Sequence, residues 1–523
     1  MITWGITALS HDASITVLKD DEILFAAHSE RYSRIKNDDK LHSDLIYAAL
    51  KFGDPDKMVW YENPYKKKLR HLLAGQFKHA LAMSDLPKRY LKKSIDFKSP
   101  KILKAIKNLQ YVDHHESHAA GGFFTSNFDA ATIIVMDAIG EFDTVSAWRA
   151  EGNSLTKLAS RRYPFSHGLF YTAMTQLVGL KPNEEEYILM GMAGFCDQSL
   201  QQLNMDSTIR LLKKYIQKED DPLRYASTNY QNIKNMHKGV SPDFLKEHGE
   251  LTFEQKCKIA KFAQLNIEYA LHELVCLFAR PEDNLILSGG CALNCVANSR
   301  ILRNYPHRIW IMPNPGDAGS SLGCALAANK VRIKNFSPYL GHEIKGKYPV
   351  DEALDELLNG NIIGIASGKA EFGPRALGNR SLLADPRGEL VQDKVNVIKK
   401  RDSFRPFAPV IMEEFFHDYF EGIHPSRMND TSSPYMQYTF KCKYPEKFPG
   451  ICHVDGTSRV QTVNQKQHPD LYALLAAFYK ETGCPMLLNT SLNIKGQPLV
   501  NTRADAQKFT ETYDIKVLTG KME

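Results

Sequence analysis

Residues 131–150, ATIIVMDAIGEFDTVSAWRA, place an acidic turn between two apolar runs. The runs Ala131 to Met136 and Thr144 to Ala150 are rich in β-branched residues and alanine, and they predict two strands. Asp137-Ala138-Ile139-Gly140-Glu141 lies between them and predicts the turn. The stretch therefore predicts a strand, an aspartate-bearing turn and a returning strand.

The start of the chain repeats this pattern. Ile2 to Thr7 and Ser14 to Leu18 predict strands, and the turn between them carries His11 and Asp12. A third predicted strand, Glu22 to His28, follows a tight turn. Actin-like ATPases and sugar kinases use such a duplicated unit, with both turns aimed at phosphates in a central cleft. The sequence therefore predicts a duplicated, actin-like α/β fold.

Residues 111–122, YVDHHESHAAGG, hold a candidate metal site. His114 and His118 are four residues apart, so they share one face of a predicted helix about one turn apart. Two imidazoles at this spacing can bind a transition metal. Paired histidines also occur on solvated helix faces, so the pattern needs a third ligand.

Two loops after predicted buried strands suit a close approach of the backbone to a nucleotide. Ser288-Gly289-Gly290 follows the strand 284–287, and residues 313–323 follow the short strand Trp310 to Met312. Asp317 in the second loop is a candidate third metal ligand. An N-cap carboxylate is the alternative interpretation of Asp317.

Length and composition narrow the class of protein. A chain of 523 residues is too long for one core and predicts two or three domains. It contains no apolar run of membrane-spanning length and no signal-peptide pattern. The nine cysteines are scattered singly except for Cys291 and Cys295, for which a packing role is expected. We therefore expect a cytoplasmic enzyme with reduced thiols and no membrane partner.

The net charge of +6 is concentrated in residues 66–107, here called the basic segment. Such a segment could contact the phosphates of a nucleic acid. The alternative is a solvated helical face with Leu, Ile and Phe packed beneath it. Its cations are Lys66, Lys67, Lys68, Arg70, Lys78, Lys88, Arg89, Lys92, Lys93, Lys98, Lys101, Lys104 and Lys107.

Regular elements continue on both sides of a predicted domain boundary. Phe253 to Arg280 predicts a long amphipathic helix. Proline, glycine and lysine accumulate from Lys330 to Tyr348 and predict the boundary. Beyond it, Val350 to Leu358 predicts a helix and Ile362 to Ala366 a strand.

The C-terminal part contains several clusters of cations. Residues 371–381, EFGPRALGNRS, place Arg375 and Arg380 among glycines and a serine. Guanidinium groups pair bidentately with phosphate oxygens, so this pattern suits a polyanionic ligand. Surface salt bridges could explain any single arginine. Further candidates are Lys399, Lys400, Arg401, Arg405, residues 453–459 and residues 488–493.

Together these motifs resemble the nodulation-protein U and antibiotic O-carbamoyltransferase family. Ala138 stands where the family more often has glycine, and Leu492 where it usually has phenylalanine; neither change removes a functional group. The matching motifs are His11–Ser14, Glu30-Arg31 with Ser33-Arg34, His114–His118, Asp137–Glu141, Glu186-Tyr187 with Met190-Gly191, Ser288–Gly290 with Asn294, Gly316–Gly319, Glu371–Ser381, Arg405–Pro409, His453–Arg459 and Leu488–Asn493.

The resemblance implies two domains with two activities. Residues 1–340 would form an actin-like (ASKHA) carbamoyl-transfer domain with the metal site. Residues 347–523 would form a YrdC-like α/β domain that converts carbamoyl phosphate and ATP into carbamoyl-AMP, releasing phosphate and pyrophosphate. The carbamoyl group would then pass to an acceptor hydroxyl of a small molecule or sugar.

The resemblance also implies site residues. His114, His118 and Asp317, with Asp137 close by, would hold an iron-type divalent metal (Fe²⁺), and Mg²⁺ would accompany ATP. His11, Asp12 and Asp137 are the catalytic candidates, with His11 contacting the acceptor hydroxyl or removing its proton. The adenylate would contact Gly289, Gly290, Asn294, Gly316 and Gly319. ATP and carbamoyl phosphate would contact Arg375, Arg380, Lys400, Arg405, Arg459, Asn489 and Ser491.

The acceptor stays open at this point. A hydroxymethylated pyrimidine in DNA, such as 5-hydroxymethylcytosine, is the alternative to a small molecule, and the basic segment favours it weakly. A non-catalytic nucleotide-binding module is the alternative of another class. The resemblance is also compatible with a homodimer. Residues 200–250 contain no motif.

Overall fold

The chain folds into two compact units: residues 1–58, 94–105 and 333–523 form one, and residues 59–93 and 106–332 form the other. The division into domains at 1–340 and 347–523, which the sequence led us to expect, stays a prediction. Residues 200–250 lie almost entirely outside the described ranges. The computed structural model describes residues 1–82, 86–96, 99–196, 216–218, 225–228, 250–388, 391–401, 405–422 and 432–521.

The first sheet begins with the predicted hairpin. Its strands are β1 (Ile2–Thr7), β2 (Ser14–Lys19), β3 (Glu22–His28), β4 (Lys57–Trp60) and β5 (Gln110–Tyr111). Strand β1 pairs antiparallel with β2, and the pair Thr7↔Ser14 closes the turn that carries His11 and Asp12. The sheet order is β3-β2-β1-β4-β5, and β4 pairs in parallel with β5.

The second sheet contains residues 131–150, with the acidic turn and its two flanking strands. The next strands are β6 (Ala130–Met136), β7 (Asp143–Glu151), β8 (Ser154–Arg162), β9 (Ile216–Lys218), β10 (Tyr225–Thr228), β11 (Leu285–Ser288) and β12 (Ile309–Trp310). Strand β6 pairs antiparallel with β7 and parallel with β11, so it lies inside the sheet. The order is β12-β11-β6-β7-β8, while β9 and β10 form a separate ribbon.

Both five-stranded sheets have the same arrangement. An antiparallel run of three strands comes first, and its first strand lies next to the fourth, which pairs in parallel with the fifth. The first three strands are consecutive along the chain, whereas the fourth follows helices in both cases. The predicted α/β fold with a duplicated, actin-like N-terminal part is therefore confirmed.

Helices connect and cover these strands. The helix predicted over Phe253 to Arg280 is present as Phe253–Phe278, with its N-terminus capped by Thr252 and Gln255. The helices are α1 (Glu30–Ser33), α2 (Ser43–Leu50), α3 (Pro64–Leu73), α4 (Phe77–Ala82), α5 (Leu86–Ser94), α6 (Pro100–Lys107), α7 (His114–Phe124), α8 (His167–Leu177), α9 (Glu186–Met192), α10 (Phe253–Phe278), α11 (Cys295–Asn304), α12 (Ser320–Asn329), α13 (Val350–Leu358), α14 (Val391–Lys399), α15 (Phe416–Tyr419), α16 (Pro469–Thr482) and α17 (Arg503–Tyr513). None in the described ranges is long and apolar enough to cross a membrane.

A six-stranded mixed sheet is the centre of the C-terminal part. The remaining strands are β13 (Tyr339–Ile344), β14 (Ile363–Ala366), β15 (Gly368–Glu371), β16 (Arg380–Ala384), β17 (Ala408–Met412), β18 (Phe420–Glu421), β19 (Thr439–Cys442), β20 (Thr457–Arg459), β21 (Gln461–Val463), β22 (Met486–Ser491) and β23 (Val517–Thr519). The sheet order is β21-β17-β22-β16-β14-β23, which places β22 in the interior. The nine cysteines, all within the described ranges, form no disulfide.

Candidate functional site

Helix α7 presents the two predicted histidines to one point and packs closely on its neighbours. His114 is the first residue of the helix, and His118 follows one turn later. A Cβ at Gly122 would lie 2.6 Å from the Ile286 side chain, and a Cβ at Gly323 of α12 would lie 1.9 Å from the Ser117 carbonyl oxygen. Only glycine fits at these two contacts, so the small residues let α7 reach β11 and α12.

Four side chains from three segments converge at this point. His114 Nε2 lies 3.0 Å from His118 Nε2 and 3.0 Å from Asp137 Oδ2. Asp317 Oδ1 lies 3.4 Å from His114 Nε2 and 3.5 Å from His118 Nε2. One ligand atom from each of these four residues lies within 4.8 Å of the others. The structure thus brings the sequence-predicted ligand set together.

The spacing fits a shared divalent metal. Ligand atoms bonded to one ion at about 2.1 Å lie about 3.0 Å apart in an octahedral site and about 3.4 Å apart in a tetrahedral one. The measured separations of 3.0–3.7 Å span this range. His114 and His118 are 1% and 3% exposed, whereas the Asp317 side chain is 17% exposed. The two histidines of α7 are therefore shielded from solvent, whereas Asp317 is more accessible to it.

The ionisation of each residue in this cluster depends on the charges of its neighbours in the cluster. Burial opposes the charged form of His114, but the Asp317 and Asp137 carboxylates outweigh it and raise its pKa well above the ordinary value. Burial likewise opposes ionisation of Asp137, but hydrogen bonds from His114 and His118 keep its pKa well below the ordinary value. Metal binding at these histidines would therefore compete with protons.

The predicted glycine loops lie beside the candidate metal ligands. The Gly290 N–H donates to Asp137 Oδ1 at 3.1 Å and so orients one ligand. Gly289 has φ +87°, and a Cβ there would lie 2.3 Å from the Met136 carbonyl oxygen, so the loop requires glycine. A Cβ at Gly316 would lie 3.9 Å from the Gly290 Cα, which brings the two loops next to each other.

Two other predicted adenylate contacts have evident roles in the fold. A Cβ at Gly319 would lie 1.8 Å from the Asn314 carbonyl oxygen, so this position closes its own turn. The Asn294 side chain accepts from the Ala297 N–H at the start of α11 and exchanges hydrogen bonds with Gln264. The structure therefore gives the Asn294 amide several protein partners.

Glu141 is a supporting residue whose role the sequence did not indicate. Its carboxylate accepts from the His114 N–H at 3.1 Å and from the Asn63 N–H at 2.5 Å. It therefore caps α7 in place of the N-cap residue Asp113, whose side chain makes no capping hydrogen bond. Sequence reasoning missed this contact because Glu141 lies 27 residues after the helix start.

His11 and Asp12 lie in the β1–β2 turn, as predicted. His11 Nδ1 is 2.9 Å from Asp12 Oδ2, and the two side chains are 39% and 24% exposed. Asp12 adopts a left-handed conformation with φ +49°. This imidazole–carboxylate pair belongs to the first compact unit, whereas the metal ligands belong to the second. The catalytic role of His11 stays a prediction.

Three cation-bearing loops of the C-terminal part meet β22. Asn489 of this strand donates to the Ala376 carbonyl oxygen at 3.1 Å, next to Arg375. It also donates to Gln461 Oε1 at 2.7 Å, two residues after Arg459, and pairs with Ala408, three residues after Arg405. The structure thus brings these three predicted arginines to one region of the sheet.

Arg380 does not join this group, and its predicted contact with phosphate is corrected. Its side chain is fully buried, and its guanidinium donates to backbone carbonyl oxygens only. These acceptors belong to His342, Ser367, Gly368, Asn379 and Asn501. A guanidinium with five N–H donors has none left for a ligand in this arrangement.

Lys399, the neighbour of the predicted phosphate contact Lys400, contacts Ser491. The buried Lys399 ammonium donates to the Ser491 carbonyl oxygen at 2.5 Å, to Ser491 Oγ at 2.9 Å and to Asn493 Oδ1 at 2.8 Å. Lys400 is exposed, and its ammonium lies 5.8 Å from the centre of the Tyr513 ring. The sequence pattern contains both lysines, and only the family resemblance selects Lys400, whose contact with phosphate stays a prediction.

Glu371 orders the loop that carries Arg375. Its carboxylate accepts from the backbone N–H groups of Leu377, Asn379 and Arg380 at 2.7, 2.9 and 3.2 Å. The side chain is 3% exposed. Sequence reasoning considered the cations of this loop and missed the buried acid, although its position at the strand end was the available signal.

Part of the basic segment is used inside the protein. Lys66 pairs with Asp113, and Lys67 pairs with Glu62 at 2.7 Å. Arg70 donates to the Gly140 carbonyl oxygen at 2.6 Å. These three cations contact groups of the protein itself, and Arg70 is buried rather than part of a solvated face.

Comparison with known proteins shows the family of the chain. Residues 3–326 match the family model described as Carbamoyltransferase N-terminus, and residues 354–521 match Carbamoyltransferase C-terminus. An uncharacterized protein, sll1178, of Synechocystis is 34% identical over 96% of this chain and 93% of its own length. Nodulation protein NolNO of Sinorhizobium fredii is 28% identical, covering 97% and 77%.

A further relative is named for its activity. The 3'-hydroxymethylcephem-O-carbamoyltransferase of Amycolatopsis lactamdurans is 27% identical over 97% of this chain and 95% of its own length. The predicted resemblance is therefore confirmed. The chain belongs to the carbamoyltransferase family, and it is a carbamoyl-transferring enzyme.

Proposed function

We propose that this enzyme is an ATP-dependent O-carbamoyltransferase. It forms carbamoyl-AMP from carbamoyl phosphate and ATP, and it transfers the carbamoyl group to an acceptor hydroxyl. The observation that carries the proposal is the convergence of His114, His118, Asp137 and Asp317 within 4.8 Å in a chain that matches both parts of the family.

The proposed route solves two chemical problems. A carbamate is a poor electrophile because its nitrogen donates into the carbonyl, and an alcohol is a poor nucleophile at neutral pH. Hydrolysis of carbamoyl phosphate releases phosphate and carbamate, whose oxygen attacks the α-phosphorus of ATP and expels pyrophosphate. The acceptor oxygen then attacks the carbamoyl carbon, loses its proton and expels AMP.

The four-residue cluster is the proposed transfer site. His114, His118, Asp317 and Asp137 would hold a divalent metal, and two imidazoles with carboxylates are the donor set of non-haem Fe²⁺ centres. When bound, the metal would supply a Lewis acid for the carbonyl or phosphoryl oxygen of the adenylate. The Gly290 N–H donates to Asp137 Oδ1 and so keeps this carboxylate in place.

The region around β22 is the proposed adenylate-forming site. Arg375, Arg405 and Arg459 would bind the phosphates of ATP, with Mg²⁺, and of carbamoyl phosphate. Asn489 holds the loops of Arg375 and Arg459 together, and Lys399 fixes Ser491. Lys400 stays in the proposal only as an exposed cation of the same region.

His11 is the proposed contact of the acceptor hydroxyl. Its imidazole lies 2.9 Å from the Asp12 carboxylate, which can orient the ring and stabilise the imidazolium formed on proton uptake. The variant His11→Asn should lose transfer and keep pyrophosphate release. Unchanged transfer in this variant would remove His11 from the mechanism.

The proposed acceptor is a hydroxyl of a small molecule or sugar. The name of the Amycolatopsis relative specifies a hydroxymethyl group on a cephem, which is an acceptor of this class. The argument for DNA as the acceptor is weaker, because it rests on the basic segment. Three cations of that segment, Lys66, Lys67 and Arg70, contact groups of the protein itself. DNA therefore enters the test as the alternative acceptor.

The test measures activation and transfer separately. The purified protein is incubated with ATP, Mg²⁺, carbamoyl phosphate and Fe²⁺, and pyrophosphate is measured with and without candidate alcohols or hydroxymethylcytosine-containing DNA. Mass spectrometry then detects a carbamoyl group on the acceptor. Pyrophosphate release that requires carbamoyl phosphate supports the proposal. Absence of release under every condition contradicts it and favours the non-catalytic alternative.

A further inference from the structure

We propose that Arg70 is a positioning residue for the metal centre. Its guanidinium holds the loop between Asp137 and Glu141, and this loop places one metal ligand and the cap of α7. The inference rests on the proposed metal-dependent transfer. It extends that proposal to a residue of the basic segment that makes no contact with the ligand atoms.

Helix α3 buries an arginine and exposes large apolar side chains, which is the reverse of the usual amphipathic helix. Arg70 is 6% exposed, whereas Tyr65, Leu69 and Leu73 of the same helix are 56%, 51% and 75% exposed. An arginine is rarely buried unless its charge is paired or its donors are satisfied. Its burial in preference to two leucines indicates that the arginine makes a specific contact on the inner side of α3.

That contact is with the metal-ligand loop. Arg70 Nη1 donates to the Gly140 carbonyl oxygen at 2.6 Å. Gly140 itself is tight against the ligand helix, because a Cβ there would lie 3.0 Å from the His114 Cβ and 3.1 Å from the His115 Cδ2. Gly140 is therefore confined between His114, which it approaches closely, and Arg70, which donates to its carbonyl oxygen.

The next residue of the loop joins both helices. One Glu141 carboxylate oxygen accepts from the Asn63 N–H, at the start of α3, and from the His114 N–H, at the start of α7. The Lys66 ammonium also pairs with Asp113, the residue before α7, although this exposed pair contributes little to stability. Arg70 thus acts from the last turn of a helix whose N-terminus is already joined to α7 through Glu141.

The consequence is a defined effect on the metal site. Groups that orient metal ligands from outside the coordination sphere typically change metal affinity or activity by about 10–100-fold when removed. Without the Arg70 guanidinium, the Gly140 carbonyl loses its charged donor, and Asp137 loses its fixed distance to His114 Nε2. We expect metal binding to weaken by about tenfold at least.

The experiment is a Co²⁺ titration of the full chain, followed by visible d–d absorption. The variant Arg70→Gln removes the charge, and Arg70→Lys keeps a charged donor for Gly140. Lys68→Gln is the matched control, because it removes a cation from the same helix and the described residues show no hydrogen bond or ion pair of Lys68. We expect weaker Co²⁺ binding and an altered spectrum for Arg70→Gln, partial recovery for Arg70→Lys and no change for Lys68→Gln.

A second variant approaches the loop from the opposite side. Gly140→Ala adds a methyl group against His114 and should reproduce the loss of Co²⁺ affinity even if Arg70→Gln does not fold. Pyrophosphate release at the separate adenylate-forming site should stay at the wild-type level in both variants, which excludes general unfolding. Retained Co²⁺ affinity in both variants would overturn the positioning role.

Failure of the proposed function gives a different result. If the wild-type protein binds no Co²⁺, the metal centre itself is wrong, and the role of Arg70 falls with it. If the wild-type protein binds Co²⁺ and Arg70→Gln binds it equally tightly with the same spectrum, only the positioning role is overturned.

Discussion

Lys399 shows how one buried charge can organise a binding region. Burial holds its pKa well below the ordinary value, and the nearby cations Arg401 and Arg405 add to this effect. Its three donated hydrogen bonds join Ser491 and Asn493 to the end of α14. The residue therefore fixes the segment that follows β22, where the phosphates are proposed to bind.

The first prediction separates two adjacent lysines. Lys399→Met should raise the KM for ATP or carbamoyl phosphate in pyrophosphate release by about tenfold, since the loss of one charge-assisted contact typically costs 1.5–3 kcal/mol. Lys400→Met, at an exposed position, should change KM by less than about twofold. A larger defect in Lys400→Met would restore the original sequence-based assignment.

The second prediction concerns pH and Glu30. Burial opposes ionisation of Glu30, but Lys36 at 2.7 Å and Arg31 outweigh it and lower its pKa to about 2. A folded pKa below the unfolded value of about 4.5 means that ionised Glu30 stabilises the folded state above pH 4.5. This stabilisation is lost as the pH falls from 4.5 towards 2.

Urea unfolding of wild-type protein and Glu30→Gln tests this sign. At pH 7 the variant should be less stable by roughly 2–3 kcal/mol, because a pKa shift of one unit corresponds to 1.36 kcal/mol. The difference should be constant from pH 8 to 6 and should shrink between pH 5 and 3. A difference independent of pH would show that the lost stability comes from packing alone.

Individual elements could be predicted well where they depend on local sequence. The strand Ile2–Thr7 and the helix Val350–Leu358 are present with the predicted bounds. The pair His114 and His118 shares a helix face because helical spacing alone decides it. Alternation and turn residues were sufficient signals for these elements.

Contacts between elements could not be predicted in this way. Spacing in the sequence says nothing about Glu141 reaching the start of α7, because that contact depends on how β6 and β7 sit against the helix. The same holds for Arg380, which looked like a phosphate ligand until its five carbonyl acceptors were visible. Residue type gave the chemistry of these groups, and tertiary structure decided their partners.

The third prediction tests the cap of α7. Glu141→Ala should destabilise the protein more than Asp113→Ala, by about 1 kcal/mol, which is a typical cost of losing a helix cap. Asp113 makes no capping hydrogen bond, and its exposed ion pair with Lys66 contributes little. Urea unfolding of both variants provides the comparison, and equal losses would mean that Asp113 caps the helix after all.

At the scale of the whole molecule, the proposal requires two sites with separate chemistry. One is the His114 cluster in the second compact unit, and the other is the region around β22 in the first. The family resemblance predicted the four residues of the first site and Arg375, Arg405 and Arg459 of the second, and both sites stay proposals. The acceptor could not be predicted, because no motif in the chain specifies which hydroxyl is recognised.

The fourth prediction follows from this separation. His114→Ala should abolish carbamoyl transfer but keep ATP–pyrophosphate exchange, since it removes only a metal ligand. Arg459→Ala should lose both activities, because no adenylate would form for the second site to use. The exchange activity of His114→Ala is thus its own control for folding.

The most direct measurement is carbamoyl-phosphate-dependent ATP–pyrophosphate exchange in His114→Ala, beside carbamoyl transfer by the same preparation. The account predicts exchange within about twofold of the wild-type rate and transfer reduced by at least about a thousandfold, as expected when a group essential to one step is removed. Equal loss of exchange in His114→Ala and Arg459→Ala would contradict the two-site scheme.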